Sequence, residues 1–208
     1  MHPIFFVTAA AVCVLAGGSV QAQNLLQDGG FETSSIVTLT QGSSNSFVYP
    51  QDTVNGWTYV GTPDSGSGLV NGSSTNGFLV FAQPTGYGGK QYAFLQASSS
   101  LSQGFATSTA GTLTIGWLEA SRTGGSNTAY AGEQNYSVLV DGFNYGTSST
   151  LSGQNFQAVS VTSTLQLAAG NHTLSFVGLT GPDHTAFIDN VSVTLSPWPP
   201  FPNRRPGR

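Results

Sequence analysis

TLTIGWLEASR, residues 112–122, sets Leu113, Ile115 and Trp117 on one side of an extended chain. Thr114, Gly116, Leu118, Ala120 and Arg122 fall on the other. Period-two alternation over a run this long is the signature of a strand, and the Leu-Ile-Trp side is the candidate core face. The same rhythm extends outward in both directions. NLLQDGGFET (24–33), GWTYVG (56–61), GFLVFAQ (77–83), QYAFLQ (91–96) and SLSQGFAT (100–107) precede it. QNYSVLVDG (134–142) follows and ends in Asp-Gly, a hairpin signal. FQAVSVTSTLQL (156–167) and NHTLSFVGLT (171–180) flank Ala168-Ala169-Gly170 and read as a second hairpin. Both faces of NHTLSFVGLT carry apolar residues, so it is expected to lie centrally. Roughly nine or ten antiparallel strands with regular turn signals predict an all-β sandwich. No stretch carries a sustained helical pattern.

Residues 1–22, MHPIFFVTAAAVCVLAGGSVQA, are expected to be a signal peptide and no part of the fold. The apolar run from Ile4 is too short to span a bilayer, and Val20-Gln21-Ala22 fits a cleavage site. Cleavage there removes Cys13 and leaves no thiol, so disulfides and cysteine metal sites are excluded. The domain is expected over 23–195, with SPWPPFPNRRPGR (196–208) an extended, basic tail. Charged residues are 7% of the chain, against about 25% in ordinary domains. The net charge of −4 and the lack of a basic patch outside the tail argue against nucleic acid as a partner. A secreted or cell-surface location is expected, with the periplasm as an alternative, and no membrane attachment after cleavage.

The order NLLQDGGFE, GWTYVG, GGKQYAFLQ…SLSQGF, AGTLTIGWLEASR, YSVLVDG and AFIDNVSVTL resembles the galactose-binding-like jelly rolls of bacterial secreted and surface proteins. It is also similar to the calcium-containing carbohydrate-binding modules of polysaccharide-degrading enzymes. The resemblance covers about residues 24–195. It implies a jelly-roll β-sandwich whose first and last strands meet around a structural Ca2+. Carried over, the side-chain ligands are Glu32 and Asp189, with backbone carbonyls completing the shell. Hard carboxylate oxygens suit calcium, and two carboxylates brought together repel unless a cation lies between them. Gly29 and Gly30 are expected to let the backbone bend. The alternative is that Glu32 is an exposed strand residue and that Asp189-Asn190 makes a turn.

Glycan binding implies aromatic faces and amides on an exposed surface. The candidates are Arg122, Tyr130 and Tyr87, with Gln91 and Gln96; Phe143 and Tyr145 are further loop aromatics. Each has a structural alternative, in packing or at a solvated strand end. Trp57 and Trp117 are expected in the core. A glycosidase needs two placed carboxylates, and no acid here stands in such a motif. HExxH, GxSxG and P-loop patterns are absent from the sequence. The expectation is a non-catalytic module that binds a polysaccharide or glycan. The alternative is a structural or adhesive surface protein with a protein partner.

Overall fold

A computed structural model describes residues 23–33, 47–50, 53–61, 65–72, 84–122, 133–151, 153–181 and 184–198. The predicted strand at 77–83, Tyr130, the first 22 residues and the tail beyond Trp198 lie outside the described residues. The described strands are β1 (Phe47–Val48), β2 (Trp57–Val60), β3 (Ser67–Asn71), β4 (Gln91–Gln96), β5 (Ser100–Thr107) and β6 (Gly111–Ser121). They continue with β7 (Asn135–Val140), β8 (Phe143–Ser149), β9 (Gln157–Thr162), β10 (Gly170–Gly178) and β11 (Thr185–Pro197).

They form two antiparallel sheets, the sandwich expected from the alternation. One runs β1-β3-β4-β11-β6-β9 and the other β2-β5-β10-β7-β8. The Asp-Gly turn joins β7 to β8 as expected, with Asp141 and Gly142 both at positive φ. Strand β10 is central, between β5 and β7. The expected hairpin between 156–167 and 171–180 does not form. β9 pairs with β6 and β10 with β5 and β7, so the chain crosses between sheets. Past β9 the chain stays against β6, with buried Leu167 bridging Gly111, before it crosses to β10.

Inward residues of both sheets fill the main core. Leu113, Ile115 and Trp117 of β6 meet Tyr136 and Val138 of β7 and Phe176 of β10. Each such side chain contributes roughly 1.5–3 kcal/mol by leaving water. Trp57 is fully buried, as expected, with its ring 5.0 Å from Phe31. A second apolar cluster covers the outer face of the six-stranded sheet. Tyr92, Phe94, Phe187 and Phe156 form it, with Phe47, Tyr49 and Tyr87 packed against them. All six residues of β4 are therefore buried.

Candidate functional site

The two ends of the domain are sewn together. Asn24 does most of this: its Nδ2 donates to Val191 O at 3.0 Å, and its Oδ1 accepts from Val193 N at 2.9 Å. Leu25 N donates to Val193 O at 2.9 Å and Val191 N to Gly29 O at 2.8 Å. Gly29 is glycine because a Cβ there would collide with the Val191 carbonyl. The expected bend falls elsewhere: Asp28 and Phe31 take the left-handed conformation, at φ 44° and 59°. Trp57 Nε1 donates to Asp28 O at 3.0 Å and fixes this turn to β2.

Glu32 and Asp189 converge on the segment before β4. Glu32 Oε1 accepts from the amides of Lys90 at 2.7 Å and Gln91 at 2.9 Å. Asp189 Oδ2 accepts from Gly88 N at 2.7 Å, and Oδ1 from Asn190 N at 2.7 Å. Gly89, at φ 69°, leaves room for the Glu32 carboxylate that any Cβ would fill. Asp189 is fully buried, and its carboxyl is pushed up to about 7. Burial is the main cause; the Gly88 and Asn190 amides oppose it, while the charges of Glu32 and Asp28 add to it. Asp28, to whose side chain the sequence assigned no role, accepts from Glu32 N at 2.8 Å and Asn55 Nδ2 at 3.0 Å. Among the described residues no three or more His, Cys, Asp or Glu side chains group as a metal cage. A cation at this corner would draw on Glu32, Asp189 and neighbouring backbone oxygens. That set of hard oxygens is the kind calcium takes.

Tyr130 lies outside the described residues, and the other predicted ligand residues, Arg122, Tyr87, Gln91 and Gln96, do not gather on one open surface. Gln91 is buried, with its Nε2 donating to Phe31 O. Gln96 is buried and accepts from Tyr49 Oη at 2.6 Å. Tyr87 donates to Gly72 O at 2.8 Å, its ring packed on Tyr92 and Phe156. Arg122, at the end of β6, is buried rather than solvated. Phe143 is different: it lies on β8 and is 69% exposed.

An open cleft of about 590 Å³ lies where the N-terminal segment passes β5 and β10. Leu25 and Phe105 give it apolar walls; Gln27, Asn171, His172 and Thr173 give it polar ones. His172 is held from both sides, with Nδ1 2.7 Å from Asp141 Oδ2 and Nε2 3.1 Å from Ala168 O. Asp141 also accepts from Thr173 N at 2.9 Å, tying the β7–β8 turn to β10. Burial alone would raise the Asp141 carboxyl. Hydrogen bonds from His172 and Thr173, with the His172 charge, outweigh it and hold the carboxyl below its ordinary 3.8. The fold thus binds this proton less readily than the unfolded chain does. The stabilisation is complete above pH ~4 and is lost as pH falls through the folded value. Asp141→Asn is expected to cost no more than about 1.5 kcal/mol, because a carboxylate 38% exposed is screened by water. Melting curves of the variant and parent should converge below pH ~4.

A third polar group lies inside the sandwich. Trp117 Nε1 donates to Tyr136 Oη at 2.7 Å, and Tyr136 donates in turn to Glu119 Oε2. Ser148 Oγ donates to the same oxygen at 2.6 Å. Burial, then the Glu119 charge, holds the Tyr136 hydroxyl well above its ordinary range.

No protein-family model matches the chain, and no curated protein does. Solved structures do. A cyclase from Fischerella sp. TAU is 15% identical with a TM-score of 0.56, over 85% of this chain and 98% of that one. The Stig cyclase Fisc from Fischerella sp. TAU, in complex with (3Z)-3-(1-methyl-2-pyrrolidinylidene)-3H-indole, is 16% identical. Its TM-score is 0.56, over 85% of this chain and 99% of that one. TmCBM61, in complex with beta-1,4-galactotriose, is 15% identical with a TM-score of 0.43, over 84% of this chain and 100% of that one. At these identities the likeness is one of fold.

Proposed function

We propose that this chain is an exported, non-catalytic β-sandwich that binds a polysaccharide, with a calcium ion at the junction of its two ends. The carrying observation is the pairing of apolar walls with amide and hydroxyl side chains in the open cleft. Leu25 and Phe105 offer an apolar wall to the C–H face of a sugar ring, and Gln27, Asn171 and Thr173 offer hydrogen bonds to its hydroxyls. Phe143 is an exposed aromatic on the hairpin whose Asp141 holds His172. The calcium reading rests on the Glu32–Asp189 corner and on the resemblance of the two end motifs. Glycan-array binding by the exported chain, with calcium and with chelator, tests the proposal. Asn171→Ala and Gln27→Ala should each weaken binding about tenfold, near 1.4 kcal/mol, without lowering the melting temperature. A folded protein that binds no glycan would sink it.

One observation favours a second reading. Glu119 is a buried carboxylate hydrogen-bonded to Tyr136 and Ser148, and proteins of similar fold include the Fischerella cyclases. In an enzyme Glu119 would be the group to give or take a proton. Titrating the chain with an indole ligand would separate the readings: saturable binding, altered by Glu119→Gln, supports the enzyme.

A further inference from the structure

Among the described strands, β9 is one outer strand of the six-stranded sheet, and β8, an outer strand of the other sheet, lies beside it on the same flank. From Gly142 to Asn171 the sequence contains no charged residue and no proline. Proteins usually blunt open strand edges with lysine, proline, a bulge or very short length. β8 has a register shift opposite Val138 and Leu139. β1 is only two residues long, and β2 four. β9 has none of these protections. Its six residues pair with β6 without a shift.

The register shows which way its backbone faces. Ser163 N donates to Leu113 O at 2.8 Å, so Val161, Val159 and Gln157 likewise bond inward to β6. The Thr162–Thr114 pair is then the non-bonded kind, with its side chains close, and their hydroxyls are 3.2 Å apart. The amides and carbonyls of Ala158, Ser160 and Thr162 therefore point away from the sheet, and all three residues are exposed.

We propose that β9 pairs with β9 of a second copy of this chain, antiparallel about a twofold axis at Ser160. Two six-stranded sheets would become one of twelve. Ser160 would face Ser160 of the second copy, and Ala158 would face its Thr162. These three bonded pairs supply about six hydrogen bonds. A second copy is the favoured occupant because a twofold contact sets each residue near itself. Any charge on the strip would repel its own image, and residues 142–171 carry none. This inference is independent of the glycan reading.

Sedimentation of the purified chain tests it. The parent should sediment as a dimer. Ser160→Lys, which sets two lysines face to face, and Ser160→Pro, which removes an outward amide, should sediment as monomers with an unchanged circular-dichroism spectrum. Val60→Lys, on the opposite flank, should leave the dimer intact. A second measurement needs no variant: in concentrated solution the amides of Ala158, Ser160 and Thr162 should exchange at least ~10-fold slower than after dilution to monomer. A monomeric parent, a dimer that survives both Ser160 variants, or exchange independent of concentration would overturn the proposal.

Discussion

Calcium is expected to raise the melting temperature of this protein, and Asp189→Asn to abolish the rise. At a hundredfold excess over Kd, a ligand bound only by the folded state adds about 2.7 kcal/mol. For a domain of this size that is roughly 5–10 °C. The variant should also invert an ordering. In chelator the parent carries a buried carboxylate whose charged form the fold disfavours, so its pKa is raised to about 7. Such a group costs the fold nothing below the unfolded-chain value of 3.8 and its full penalty above about 7. An amide of the same shape carries no charge penalty, and its one fixed cost is that Nδ2 cannot accept from whichever of the Gly88 and Asn190 amides it faces. In chelator at pH 8, then, Asp189→Asn should melt at or above the parent, and the gap should close toward pH 4. In calcium the parent should melt higher. A merely structural Asp189, held by the Gly88 and Asn190 amides, predicts no calcium response and no inversion. Equal melting curves with calcium and with chelator at pH 8 would therefore end the calcium reading.

What the sequence made legible was local. The alternation of Leu113, Ile115 and Trp117 reports one strand and one face, and Asp141-Gly142 reports one turn. Period two says that a segment is extended but not which sheet it joins, so 156–167 and 171–180 looked like partners and are not. The second aromatic cluster was hidden for a related reason. Tyr87 and Gln96 looked like surface residues because β4 is capped on its outer side by Tyr49 and Phe156, which are remote in sequence. Asp141 and His172 are 31 positions apart, and only the pairing of β7 with β10 makes them neighbours. The corner of Glu32 and Asp189 was readable only because two motifs at opposite ends were read as a pair. Gly29 was singled out correctly, but for bending; the collision of a Cβ with Val191 becomes visible only once the ends meet.

Tyr136→Phe is expected to cost about 2–4 kcal/mol, more than a lone hydroxyl normally contributes. The ring would stay, packed on Trp117 and Phe176, so no large cavity opens. The loss comes from the partners left behind. Trp117 Nε1, inside the core, would have no acceptor in place of the Tyr136 oxygen. Glu119 would keep Ser148 alone on Oε2, and a buried carboxylate short of donors is expensive. Glu119→Gln is the informative companion. Its amide oxygen can still accept from both Tyr136 and Ser148 while the charge disappears, so the cost should stay under about 1 kcal/mol. If the chain of bonds is a unit, Tyr136→Phe should hurt less in the Glu119→Gln background, because no buried charge is then stranded. Chemical denaturation of the two single variants and the double variant measures this coupling. Strict additivity would mean that Tyr136 serves Trp117 alone, and that Glu119 draws its support from Ser148 and from solvent at the sandwich edge.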